Sequence, residues 1–113
     1  MLNNEVELDK QRLLLPLLQQ LENELRNKGL WQEVKPSQQA LASRAPFAID
    51  SLSFAQWLQF IFLDKMRELV RFSQPLPESM LILPMATEYF KSLPLNSAEI
   101  INIISRIDDL FTE

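Results

Sequence analysis

The chain has 113 residues, the length of one domain, and a globule of that size buries roughly 65% of its unfolded surface, enough for one core. Apolar residues make up 47% and the formal charge is -4, which excludes a disordered chain and a strongly basic, polyanion-binding one. Cysteine and histidine are absent, so there is no disulfide, no thiolate nucleophile, no serine-histidine triad and none of the usual zinc or di-iron sites.

The opening MLNNEVELDKQR is acidic and amphipathic where a signal peptide starts positive and turns apolar, so export is not expected and a cytoplasmic location is. Leu14, Leu17, Leu18, Leu21 and Leu25 form one stripe of a first helix, predicted to start at the capping pair Asn4 and Glu7 and to end before Gly29. Pro16 falls on the opposite face, where it either bends the helix or divides it in two.

From Leu30 to Ser53 the periodicity weakens into a loop with at most a helical turn over 37–43. A loop of that length needs anchors, and Trp31 and Phe47 are the aromatic residues expected to supply them. Asp50 reads as a cap for nearby backbone amides.

Ser53 with Gln56 spells a capping box, and Leu52 with Trp57 a hydrophobic staple. They start a helix over residues 53–72 with Phe54, Leu58, Ile61, Phe62, Lys65, Met66, Leu69 and Phe72 on one wide face. Its apolar run, residues 54–63, is too short to cross a hydrocarbon layer that needs about 20 residues. We expect it to be the central helix, packed by the leucine helix, by the last helix and by the Trp31–Phe47 loop. Lys65, Arg67 and Arg71 alternate with Asp64 and Glu68 at helical pair spacing, predicting mutual neutralisation.

After the SQPLPES turn, Pro84 opens a short helix carrying Met85, Tyr89 and Phe90 and ending before Pro94. The last helix has Asn96 and Glu99 as capping box, Leu95 and Ile100 as staple, and Ile100, Ile103, Ile104, Ile107 and Phe111 as its buried stripe. The fold class is therefore all-α, a compact single-domain bundle of four to five helices around a central apolar one.

The acid pairs Glu22 with Glu24 and Asp108 with Asp109 stand one or two residues apart, do not converge on one substrate atom, and read as solvated faces. No catalytic residue, metal ligand or cofactor site is singled out, and no enzymatic activity is expected. Trp57 and Phe60 fall on the polar side of the central helix: either the 30–53 loop covers them, or they form a contact for a protein partner. Arg26, Lys28, Lys35 and Arg44 stand against only Glu33 in residues 26–49, a pattern for contact with phosphate backbones or an acidic protein, or simply for a wet loop.

The run from Pro46 to Met66, with Phe47, Asp50, Leu52 and the WLQF tetrapeptide of Trp57–Phe60, resembles the central motif of the YqcC-like family, small bacterial proteins of unknown function. The resemblance extends to the QPLP turn at residues 74–77 and to a leucine helix ending near a tryptophan. At Leu63, Asp64 and Lys65 the chain departs from the Ile-Pro-Arg frequent in relatives, so its helix is expected to run through. The resemblance implies an all-helical cytoplasmic protein and a link to tRNA modification, since genes of the family often lie beside that of tRNA pseudouridine synthase C. It supplies no binding residues. Two functions follow as expectations: a non-enzymatic module for a protein partner, or an RNA-binding accessory of a tRNA pseudouridine synthase. Partner identity and oligomeric state stay open at this stage.

Overall fold

The computed structural model describes residues 2–112, with side chains from Val6 onward. Its first helix, α1, is Leu2–Asn27, about 39 Å long at about 1.5 Å per residue. It already runs through Asn4, so the predicted cap lies inside the helix, and it passes Pro16 without a break. Proline is tolerated there because it is exposed and the only bond it removes is the one to the Arg12 carbonyl. The helix ends in a Schellman motif. Leu30 N–H bonds the Leu25 carbonyl at 2.9 Å, Gly29 N–H bonds that of Arg26 at 3.1 Å, and Gly29 takes the left-handed φ of 72° that the motif needs.

The loop that follows holds two short turns, α2 (Gln38–Leu41), capped by Ser37, and a 3-10 turn at Pro46–Ala48. Trp31 and Phe47 are both half-buried against the core, as anchors should be. Asp50 accepts a hydrogen bond from the Ser43 hydroxyl, tying the loop to itself.

The central helix consists of α3 (Phe54–Gln56), a π turn (Trp57–Leu63) and α4 (Asp64–Arg71), with helical dihedrals through both junctions. Its capping box is complete: the Gln56 amide donates to Ser53 Oγ at 3.1 Å, and the Ser53 amide to Gln56 Oε1 at 2.8 Å. The π turn was not foreseen, and it changes which residues are inside. An α-helix of about 3.6 residues per turn lets positions four apart drift around the axis, whereas the wider i→i+5 turn rotates them back. Two rows at strict spacing of four are buried in consequence, Phe54, Leu58, Phe62 and Met66 beside Ala55, Gln59 and Leu63. Lys65 and Phe72, predicted on the buried face, are exposed.

α5 (Leu83–Lys91) has its proline in the first turn as predicted. α6 (Ala98–Leu110) starts from Ser97, one residue later than predicted. Asn96 still serves that end, its Oδ1 accepting from the Ala98 amide at 3.1 Å, but no capping box forms. The isoleucine stripe is buried, packed chiefly on α1 and α5; the central helix packs on α1 and α5 and meets α6 far less than expected. All of these faces join one hydrophobic cluster in which Leu58 is fully buried.

Asp108 corrects the reading of the Asp108–Asp109 pair as a solvated face. It is buried, its two carboxylate oxygens accept the Ile82 amide at 3.0 and 2.8 Å, and the second also accepts the Leu83 amide at 2.8 Å. α6 thus supplies the cap that α5 lacks in its own sequence.

Candidate functional site

The two glutamines that interrupt the apolar run hold a loop. Gln59 donates from Nε2 to the Gln32 carbonyl at 2.7 Å and accepts the Gln32 amide on Oε1 at 2.9 Å. Gln56 Nε2 adds a bond to Gln32 Oε1 at 3.2 Å. A buried primary amide thereby satisfies both its donor and its acceptor on the backbone of one residue, as a neighbouring strand would. The clasp lays residues 31–35 along the π turn and leaves an open groove of about 300 Å³ between Trp31 and Lys35 on one wall and Phe60, Asp64 and Arg67 on the other.

The groove is electrically balanced. Lys35 and Glu33 line the loop wall and Arg67 and Asp64 the helix wall, one charge of each sign on each, and a second set of charges braces the wall behind. Glu22 of α1 receives Arg67 Nη1 at 2.7 Å and Arg26 Nε at 2.9 Å, while the Arg26 guanidinium lies 4.5 Å from the Trp31 ring centroid. Arg67 therefore pairs across helices, correcting the expectation of neutralisation within α4; among the described residues no ion pair joins Asp64 or Glu68 to Lys65 or Arg71. Burial pushes the Glu22 carboxyl up, but hydrogen bonds from Arg67 and Arg26, then their charges, outweigh it and hold its pKa below the usual 4.5.

The structure separates the two aromatics read as a pair. Trp57 is half-buried against the core, with ring centroids 4.8 Å from Phe47, 5.7 Å from Phe54 and 5.5 Å from Phe62. Phe60 lines the groove and does not join the core cluster. The basic candidates are divided as well: Lys35 lines the groove, Arg26 is engaged by Glu22 and Trp31, and Lys28 and Arg44 are not part of the lining.

Sequence reading missed Gln32, Gln59, Arg67 and Glu22 as builders of this surface. The Glu22–Arg26 spacing of four was a readable signal; the Gln59 clasp across 27 residues had none. Phe47 and Ala48 are consecutive residues with φ of 55° and 50°, a conformation costly for a residue with a Cβ. That kink sets the Phe47 ring against Trp57 and walls an apolar cleft of about 210 Å³ that Met85 and Tyr89 complete. Among the described residues no three acids gather closely enough to hold a metal ion, and no helix is long and apolar enough to cross a membrane.

Comparison with known proteins adds a family. The DUF446 family model, described as tRNA pseudouridine synthase C, matches residues 13–110. An uncharacterised protein of Haemophilus influenzae is 35% identical over 74 residues, 66% of this chain and 70% of its own. The uncharacterised protein YqcC of Escherichia coli is 28% identical over 96 residues, 85% of this chain and 88% of its own. The solution structure of that protein superposes with a TM-score of 0.73, covering 96% of this chain and 86% of the other. A tRNA pseudouridine synthase C of Pectobacterium carotovorum is 37% identical over 59 residues, 52% of this chain but 16% of that much longer protein.

Proposed function

This chain belongs to the YqcC-like DUF446 family, and from that premise we propose that it is a non-enzymatic interaction module whose contact surface is the groove over the π turn. The observation that carries the reading is Phe60, a large aromatic side chain on the π turn that stands outside the core and lines a groove with Trp31 opposite. Aromatic residues half-exposed in a rigid, concave setting are the usual anchors of protein contacts. π turns are themselves frequent at functional sites. The balance of Lys35 and Arg67 against Glu33 and Asp64 suits a polar rim better than a phosphate track.

A second reading, an accessory that acts with a tRNA pseudouridine synthase and touches its RNA, is favoured by the family's description and by the longer synthase that contains a segment similar to this chain. One titration serves both. Binding to a purified tRNA pseudouridine synthase C is expected to weaken about tenfold or more on Phe60→Ala, with the melting temperature unchanged. No binding by the wild-type chain removes the synthase as partner. Binding of tRNA that falls steeply with salt and on neutralising Lys28, Lys35 and Arg44 would instead support the RNA reading.

A further inference from the structure

We propose that the apolar cleft between the Pro46–Ala48 turn and α5 binds a small uncharged ring compound, either one ring with a short substituent or two fused rings. The cleft shares no residue with the groove over the π turn, so the inference stands apart from the function proposed for that groove. Met85 and Tyr89, four residues apart on one face of α5, line it opposite the Phe47 ring, and Leu52 and Phe54 are buried beneath. Its aromatic walls brace one another. Phe47 lies 5.9 Å from Phe54 and 4.8 Å from Trp57 between ring centroids, and Tyr89 lies 5.7 Å from Phe54 and 5.1 Å from Phe90. The backbone that carries the Phe47 wall is fixed against its own preference. Phe47 and Ala48 take left-handed φ values of 55° and 50°, Ala48 is buried, and its carbonyl accepts the Ser51 and Leu52 amides at 3.0 and 2.9 Å. Strain that the surroundings over-determine in this way is a mark of ligand clamps. A slack loop would turn its own apolar side chains into such a hollow to gain dispersion contacts, whereas Ile49 at the rim stays 64% exposed.

Size and polarity say what the cleft takes. Its volume is about 210 Å³, and an apolar cavity of about 150 Å³ already holds benzene. No lysine, arginine, aspartate or glutamate lines it, so a charged ligand would give up its hydration for no partner. Phosphate esters and free amino acids are thereby excluded. Three ring faces and the polarisable Met85 sulfur favour a flat ring over a flexible chain. The hydroxyls of the lining are those of Ser53 and Tyr89. Ser53 Oγ already accepts the Gln56 amide at 3.1 Å and keeps its proton to donate, while the Tyr89 hydroxyl forms no hydrogen bond among the described residues. One polar substituent on the ring can therefore be satisfied. The lining of seven residues falls far short of the roughly 20–30 a side that a stable protein interface uses, which favours a small molecule over a protein surface.

Titration of the full chain with indole, benzyl alcohol and benzoate, followed by nuclear magnetic resonance, tests the site. Indole and benzyl alcohol are expected to bind one to one with a Kd of about 1 mM or tighter, and benzoate, of nearly the same shape but charged, at least about tenfold more weakly. The shifts should centre on Ile49, Leu52, Met85 and Tyr89 and leave the amides of residues 31–35 in place. Ile49→Asp puts a charge at the exposed rim and should weaken indole binding about tenfold or more without lowering the melting temperature of the free protein. Met85→Phe fills the cleft and should abolish binding while the melting temperature holds or rises; loss of binding with a retained fold separates a filled site from general damage. Failure of both uncharged rings to bind up to their solubility limits overturns the proposal. So does benzoate binding as tightly as benzyl alcohol, or indole binding that both variants leave unchanged.

Discussion

At the scale of single residues, backbone groups at helix ends decide which side chains matter. α4 closes with the same two bonds as α1: Gln74 N–H reaches the Leu69 carbonyl at 2.8 Å and Ser73 N–H that of Val70 at 3.2 Å. Here the left-handed position belongs to Ser73, at φ 52°, where α1 has Gly29. A residue with a Cβ bears a strain of about 1–2 kcal/mol in that conformation, so Ser73→Gly should stabilise the protein by about 0.5–1 kcal/mol, less than the whole strain because glycine also loses more chain entropy. A raised urea midpoint with unchanged slope is the expected result. Asp108 predicts the opposite sign. Its removal leaves the Ile82 and Leu83 amides buried without an acceptor, so Asp108→Ala should destabilise by about 3 kcal/mol, and Asp108→Asn, which keeps one acceptor oxygen, by less. The contrast also shows what a local reading can reach. Gly29 is legible as a stop because its neighbours in sequence are its partners, whereas Asp108 serves amides 25 and 26 residues away and looks from its own neighbourhood like any acid beside Asp109.

At the scale of elements, the legible parts of the helices were their apolar stripes and the box at Ser53, both written within a few residues. The start of α6 was misplaced by one residue because Asn96 and Ser97 are both capping residues and only packing chooses between them. The π turn had no local signature, and with it went the true inner face: Gln59, an interruption in a run of apolar letters, is a buried clasp on the loop that walls the groove. The sequence leaves Trp57 and Phe60 together between loop cover and partner contact; the structure separates them, with Phe60 outside the core cluster and Trp57 against the Phe47 ring that folds back on it. The brace between α1 and α4 gives this scale its prediction. The Glu22 carboxyl has a folded pKa below its unfolded value of about 4.5, so the folded state binds the proton less readily than the unfolded state does. Its contribution is complete above that unfolded value and is lost as pH falls through the lower folded one. Unfolding measured from pH 6 downward should show a loss of stability beginning near 4.5, and Glu22→Gln should flatten that part of the curve while lowering stability at neutral pH by roughly 1 kcal/mol, the scale of a partly exposed ion pair.

The whole molecule is longer than its residue number requires. A compact chain of this length has a radius of gyration of about 13 Å, against 14.3 Å observed with a long axis of 45 Å, and α1 is the element long enough to account for the excess. Its packing is uneven along that length. From Leu14 onward the leucines at positions 14, 17, 18, 21 and 25 are buried, whereas no side chain from Val6 to Leu13 is. Those turns are held by Glu7, whose Oε1 accepts the Leu76 amide at 2.6 Å, and by Lys10 over Phe111. Local opening follows buried contacts rather than helix propensity. In dilute solution the amides of residues 7–13 should therefore exchange with solvent much faster than those of 18–25, although both lie in one unbroken helix. Uniform protection along α1 would mean instead that the two tethers alone, Glu7 on the Leu76 amide and Lys10 over Phe111, secure the first turns as firmly as buried leucines secure the rest.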